Sequence, residues 1–127
     1  MTRFLTLAEV LAILHDQITR YGGDYGVRGL DLVSSAIAVP QAGFHGTRFH
    51  STLFEQAAAY AFHICQNHPF LDGNKRVALA SALVFLDLNG VNVNDPDGTL
   101  YHLMMRVASG QVGKAELAER FKALCGN

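Results

Sequence analysis

The sequence predicts an all-α protein, a compact bundle of about six helices around one central, buried helix. Three observations support this fold class. Apolar residues recur at three- and four-residue spacing in separate segments, glycine and proline divide those segments, and two of the segments begin with a capping-box pattern. The alternating stretch Val91 to Asn94 is too short to found a sheet.

The first two helices are predicted from their start and stop signals. The first begins at the capping box formed by Thr6 and Glu9 and ends at the glycine pair 22–23. A short second helix runs from near Leu30 and ends before Pro40, because the residue before a proline disfavours the helical conformation.

The third and fourth helices flank the polar centre of the chain. The third begins at the capping box formed by Thr52 and Glu55 and leads the chain to His68. The fourth carries an apolar run over residues 77–88 and ends at the Asn-Gly pair 89–90. Since nearly every face of this helix is apolar, we expect it to be the central and buried one.

Two more helices follow the Asp-Pro-Asp-Gly turn at 95–98. One stops at Gly110 and carries Leu100, Leu103, Met104, Val107 and Ala108; the last stops at Gly126 and carries Leu117, Phe121 and Leu124. A length of 127 residues without repeats or interdomain linkers favours a single domain over residues 1–127.

Composition and charge exclude several classes of protein. Ten basic against eleven acidic residues leave no basic excess, so direct nucleic-acid binding by the chain alone is not expected. No stretch approaches the roughly twenty apolar residues of a membrane span. Cys65 and Cys125, both within predicted helices, indicate core thiols rather than a disulfide framework, which favours a reducing, cytoplasmic location.

The stretch from His68 to Arg76 sets a base, a carboxylate, a turn and two cations at the start of the fourth helix. Lys75 and Arg76 lie at the positive end of the helix dipole, where each is unfavourable by roughly 0.3–1 kcal/mol unless an anion offsets it. Free backbone N–H groups and the preceding Gly73 complete the description of an anion site. The pattern therefore indicates phosphate binding.

The other side chains of this stretch fit a transfer reaction. Asp72 can hold a magnesium ion that bridges phosphate oxygens, Asn74 can donate amide hydrogen bonds, and His68 can take a proton from an attacking hydroxyl. Each residue alone has a structural explanation: solvated cations, a carboxylate that caps the helix, a satisfied loop histidine. Their coincidence within nine residues favours a site.

Other segments carry weaker signals. The glycines between residues 22 and 29 follow a helix and lack G-x-G-x-x-G order, so they are expected to form a connecting loop. The six histidines form no zinc-ligand pattern. The segment Gln41 to Ser51 leaves Phe44 and Phe49 in a flexible loop, either with their rings tucked into the core or available for binding.

The stretch from His68 to Arg76 resembles the Fic motif, H-P-F-x-[DE]-G-N-(G/K)-R, and the lysine form found at Lys75 is typical of the death-on-curing (Doc) toxins of the Fic/Doc family. The resemblance extends over essentially the whole chain. It includes the segments Arg20 to Gly23, Gly26 to Leu32, Ser35 to Ile37, Pro40-Gln41 and Leu86 to Val91.

The resemblance implies a Fic fold with a short flap before the helix that leads to the motif. It implies that His68 is the general base, that Asp72 holds Mg²⁺, and that Pro69 and Phe70 support the loop. The residues implied to bind the phosphates of ATP are Gly73, Asn74, Lys75 and Arg76. The implied flap, which captures a target segment by strand-like backbone pairing, comprises Phe44, His45, Gly46, Thr47, Arg48 and Phe49.

The lysine form implies a toxin that uses ATP and Mg²⁺ to phosphorylate a threonine of translation elongation factor Tu and so arrests protein synthesis. Fic proteins with glycine at the position of Lys75 transfer AMP to a protein hydroxyl instead. A long cationic side chain fills space that a nucleotide would cross and adds charge where a phosphate sits. Pro69 and Gly73 are nevertheless the residues of nucleotidyl-transferring Fic proteins, so AMP transfer stays open.

The resemblance also implies a Phd-like antitoxin, bound through a segment that folds on the toxin. Ser51-x-x-x-Glu55 superficially matches an inhibitory motif, but Gln56 follows and the residues fall at the start of a core helix, so control in trans is expected. The alternative from a different class is a noncatalytic module that binds an antitoxin and regulates a shared operon. No membrane partner is expected.

Overall fold

The computed structural model describes residues 1–126, so Asn127, the last residue of the predicted domain, lies outside the described residues. Six α-helices make up most of the fold, which confirms the all-α class. They are α1 (Leu7–Tyr21), α2 (Leu30–Ala38), α3 (Leu53–Asn67), α4 (Asn74–Leu88), α5 (Thr99–Ala108) and α6 (Lys114–Ala123). A 3₁₀ turn (Val39–Gln41) and a hairpin of β1 (Gly43–Phe44) and β2 (Thr47–Arg48) lie between α2 and α3.

Both predicted capping boxes are present. The Thr6 hydroxyl accepts from the Glu9 amide at 3.1 Å while the Glu9 carboxylate accepts from the Thr6 amide at 2.9 Å. Thr52 and Glu55 make the same pair of bonds at 3.1 and 3.2 Å. Such caps satisfy amides that the helix leaves unpaired and are each worth about 1 kcal/mol, so they fix where α1 and α3 begin.

The centre of the bundle is the α3–α4 pair, and α3 also packs against α2, α5 and α6. The middle of α3, residues 57–61, is fully buried and mostly alanine, which allows the neighbouring helices to approach closely. Tyr60 is the large exception: its hydroxyl accepts from the Leu5 amide at 2.9 Å, and burial raises its pKa to about 12. These contacts position the two ends that form the site, the C-terminus of α3 and the N-terminus of α4.

Two predictions about burial need correction. α4 is central, but it is not buried all round: Val84 and Leu88 are 37% and 41% exposed, and Leu79 and Leu83 are half-buried along a groove. A helix with apolar residues on every face is predicted to be buried on every face. In the structure, α1 and α5 leave one face of α4 exposed along the groove. Cys65 is a buried free thiol as predicted, but Cys125 is half-buried and lies after the end of α6.

The hairpin before α3 projects from the bundle. Gly43 pairs with Arg48 and Phe44 with Thr47 in antiparallel register. Phe44 and Phe49 are each 67% exposed, so their rings are not tucked into the core. The position matches the flap that the resemblance implies. None of the helices within residues 1–126 has the length and apolar character needed to cross a membrane.

Candidate active site

The six residues from His68 to Gly73, here called the motif loop, join α3 to α4. His68 ends α3 in the left-handed conformation (φ 49°, ψ 54°), and its amide donates to the Ile64 carbonyl at 3.2 Å. Its imidazole is exposed and has no hydrogen-bond partner among residues 1–126, so it is accessible to a substrate. Behind it, Pro69 and Phe70 are buried and anchor the loop in the core.

The start of α4 has the geometry of an anion site. Gly73 precedes the helix with φ 78° and gives no side-chain cap. The first helical hydrogen bond runs from the Val77 amide to the Gly73 carbonyl at 2.8 Å, so the amides of residues 74–76 have no partner within the helix. A side chain at position 73 would meet the Ile18 side chain at 3.2 Å in a backbone conformation that favours glycine. These amides and the helix dipole favour a bound anion.

The side chain of Asn74 holds the motif loop together. It is 7% exposed, its carbonyl oxygen accepts from the Phe70 amide at 3.0 Å, and its NH₂ group donates to the Phe70 carbonyl at 2.9 Å. Both ends of the amide are therefore occupied within the loop. Because the side chain is engaged with Phe70, a phosphate contact by Asn74, as predicted, would be made by its backbone N–H.

Asp72 does not cap α4. One carboxylate oxygen, Oδ2, accepts from the Asp24 amide at 2.7 Å, and Oδ1 has no partner among the described residues. Gly23 lies so close that a Cβ there would be 3.0 Å from Asp72 Cβ. The carboxylate is thus held by one oxygen and can offer the other to a cation.

The two cations at the start of α4 point to different neighbours. Neither has an acidic partner within residues 1–126, where the ion pairs are Arg3–Glu9 and Arg20–Asp16. Arg76 donates to the Gly22 carbonyl at 3.2 Å and stacks 5.4 Å over the Tyr21 ring.

Lys75 is half-buried and makes no hydrogen bond to another side chain among residues 1–126. Its charge acts on Cys65: burial raises the pKa of that thiol, and Lys75 partly opposes the increase. Neither charge is neutralised by a carboxylate among residues 1–126, and Arg76 keeps N–H donors beyond the one that binds the Gly22 carbonyl.

Residues 22–29, here called the support loop, brace the motif loop. Val27 and Phe70 form an antiparallel bridge, with the Arg28 amide donating to the Pro69 carbonyl at 2.7 Å and the Leu71 amide donating to Gly26 at 3.0 Å. A side chain on Gly26 would meet the end of the Leu71 side chain, which is exposed and would have to move aside. The sequence predicted only a connecting loop, because hydrogen bonds between segments about forty residues apart leave no local signal.

An apolar groove of about 500 Å³ opens beside the site, between α1, α4 and α5. Arg76 links it to the motif. The residues that line it are Gln17, Tyr21, Arg76, Leu79, Ala80, Leu83 and Tyr101.

Comparison with known proteins assigns the chain to a family. Residues 4–86 match the Fic/DOC family. The chain is 37% identical over 120 residues to "Protein kinase doc" of Escherichia phage P1, covering 94% of each chain. It is 38% identical over 93 residues to "Toxin Doc" of Mycolicibacterium smegmatis, covering 73% of this chain and 69% of the relative. The similarity to a protein named as a kinase supports an enzyme of the Fic/Doc kinase type, and the helices with their small flap are consistent with the Fic fold. The chain belongs to the Fic/Doc family.

Proposed function

We propose that the chain is the toxin of a toxin–antitoxin pair and that it transfers the terminal phosphate of ATP to a threonine of elongation factor Tu, arresting protein synthesis in the cytoplasm. The observation that carries the proposal is the motif loop itself. Together with the first turn of α4 it carries an exposed histidine, a carboxylate with one free oxygen and an open helix N-terminus within nine residues, 68–76. The relative named as a kinase supports phosphate transfer, and the relative named as a toxin supports the toxin role.

In this reaction His68 acts as the general base. One imidazole nitrogen takes the proton of the threonine hydroxyl, the oxygen attacks the γ-phosphorus, and the bond from that phosphorus to the bridging oxygen of ADP breaks. The exposure of the ring and its lack of an internal partner leave it free to meet a target hydroxyl.

The start of α4 binds the transferred phosphate. The amides of residues 74–76 and the charges of Lys75 and Arg76 stabilise negative charge as it spreads over the phosphate oxygens. Position 73 admits a phosphate close to the backbone because it has no side chain.

The donor set fits magnesium that arrives with ATP. Mg²⁺ is commonly bound by one or two carboxylates together with substrate phosphates and waters. Asp72 supplies one free oxygen, and no group of three or more metal-binding side chains occurs among residues 1–126, so a dedicated protein cage is not part of the described structure. When bound, the ion neutralises phosphate charge.

AMP transfer is the second candidate function. Pro69 and Gly73 favour it, because they are the residues that the resemblance associates with nucleotidyl-transferring Fic proteins. The two reactions attach different masses to the same target, so one measurement separates them.

The experiment incubates the chain with ATP, magnesium and elongation factor Tu and reads the intact mass of the factor. A gain of one phosphate, absent with His68→Ala and retained with His102→Ala on the exposed face of α5, is the expected result. A gain of AMP would favour the second candidate. No modification by any variant would overturn both, and retained antitoxin binding would then favour the noncatalytic module.

The groove beside α4 supports an antitoxin partner. Its apolar lining suits an amphipathic helix that is disordered when free, and a Phd-like segment has that chemistry. A helix seated there would cover Arg76, which lies in both the motif and the groove. Binding in trans would thereby block a phosphate contact.

A further inference from the structure

Arg28 lies in the support loop and contacts the catalytic end of α3 twice. Its guanidinium Nη1 donates to the carbonyl of His68 at 2.6 Å. Its backbone amide donates to the next carbonyl, that of Pro69, at 2.7 Å. One residue therefore fixes two consecutive peptide groups of the motif loop.

The backbone of His68 needs such a restraint. Its φ of 49° lies in the left-handed region, which a residue with a side chain rarely adopts without support from its surroundings. Its carbonyl also lies at the negative end of α3, where a cation is favourable. Arg28 supplies both a donor and a positive charge at that point.

The imidazole of His68 lacks the usual means of orientation. A catalytic histidine is commonly held by a carboxylate or carbonyl on its second ring nitrogen. Here neither ring nitrogen has a partner among residues 1–126. The direction of the ring is therefore governed by the backbone from which it projects, and that backbone is what Arg28 binds.

We propose that Arg28 is a positioning residue for His68. It acts through the His68 carbonyl and does not touch the substrate. This inference rests on the proposed function, in which His68 is the base, but it concerns a residue outside the motif.

Replacing Arg28 should lower kcat and spare the KM for ATP, because Arg28 binds the carbonyls of His68 and Pro69 and makes no hydrogen bond to the start of α4, where the phosphate binds. For Arg28→Ala we expect kcat to fall roughly 10- to 100-fold, the usual effect of losing a charged hydrogen bond that orients a reacting group. Arg28→Lys keeps the charge and one donor and should retain part of the rate. Free guanidinium ion should partly restore Arg28→Ala.

The matched control is Arg106→Ala, which removes another exposed arginine, on α5 and outside the motif and support loops. Its kcat should equal that of the unchanged chain. Equal kcat for Arg28→Ala and Arg106→Ala would overturn the inference. So would a loss in Arg28→Ala that neither Arg28→Lys nor guanidinium relieves and that matches a fall in the folded fraction.

A second measurement does not depend on the target. The ¹³C resonance of the His68 carbonyl and the resonances of its ring should move in Arg28→Ala, which loses the donor, and stay unchanged in Arg106→Ala. If the unchanged chain modifies no elongation factor but these shifts appear, the proposed function fails and the positioning contact stands. If the shifts are absent, the positioning contact itself is wrong.

Discussion

The residues of the motif divide into those that face outward and those that hold the loop. His68 and one oxygen of Asp72 are open to a ligand, whereas Phe70 and Asn74 are buried and bonded to each other. The sequence suggested a ligand role for every polar member. The structure gives the Asn74 amide the task of closing the loop, so its effect on a bound phosphate is through the backbone.

Asn74→Ala should reduce both stability and activity. The change leaves the Phe70 amide and carbonyl unpaired in a buried place, and it should lower the free energy of unfolding by about 1–3 kcal/mol. The rate of target modification should also fall, because the loop that carries His68 loses its clamp. Urea unfolding at an unchanged m-value and the intact-mass assay measure the two effects.

Asn89→Ala is the matched control for that variant. Asn89 makes three amide hydrogen bonds where Asn74 makes two: they join it to both backbone groups of Arg3 and to the Phe85 carbonyl, at the far end of α4. It should lose stability on a similar scale without losing activity in the folded protein. Equal activity losses in the two variants would show that the Asn74 effect is only general destabilisation.

At the scale of the element, α4 serves two surfaces. Its first turn forms the anion site, and its side, at Leu79, Ala80 and Leu83, forms the floor of the groove. Arg76 belongs to both. Under the proposed function this arrangement would couple inhibition to catalysis, since a partner on the side of the helix would cover a charge at its start.

Leu83→Glu should separate antitoxin binding from activity. A carboxylate in the apolar groove must be desolvated when a helix covers it, so antitoxin affinity should fall roughly 100-fold, or about 2.7 kcal/mol. Modification of the target without antitoxin should stay within about twofold. Val84→Glu, at an exposed position outside the groove lining, is the control for calorimetric titration with the antitoxin. Equal affinities of the two variants would place the antitoxin elsewhere.

The flap is the element expected to recognise the protein target. Its two short strands present Phe44 and Phe49 to solvent, and a β-edge can pair with an extended target segment. Replacing residues 44–49 by a short glycine-serine linker should reduce the rate of target modification at least about tenfold while leaving the Kd for ATP unchanged. An unchanged modification rate would remove the flap from target binding.

For the whole molecule, the sequence predicted features that residues close in sequence determine, such as helix starts. It did not predict contacts between residues that are distant in sequence. The boxes at Thr6 and Thr52 mark helix starts because the paired residues are three apart. The exposed side of α4 could not be predicted, because the sequence of an apolar helix does not show which of its faces lacks a neighbouring helix. The support of His68 by Arg28 joins positions forty apart and depends on how α1 and α2 are connected around the bundle.

The response of the whole fold to acid should depend on a cluster that joins the residue after the flap, His50, to α3 and α6. Lys114 Nζ, at the start of α6, lies 3.1 Å from His50 Nε2 and 3.0 Å from His63 Nε2. An ammonium group only donates, so both imidazoles accept from it in their neutral forms. Burial, followed by the charge of Lys114, lowers the pKa of His63 to about 4 and also lowers that of His50.

The free energy of unfolding should therefore fall as the pH is lowered from about 6.5 towards 4, because the unfolded chain binds protons there that the folded chain excludes. His63 is only partly buried, so its share is on the order of 1 kcal/mol after solvent screening. His63→Gln keeps an acceptor for Lys114 and should flatten the slope by about half, whereas His102→Gln on the exposed face of α5 should not. Capping-box hydrogen bonds lower the pKa of Glu9 and Glu55 from 4.5, so protonation of these carboxylates affects stability mainly below about pH 5. Urea unfolding above that pH therefore measures the contribution of the histidines separately from theirs. An equal slope in both variants would mean that the cluster does not govern this response.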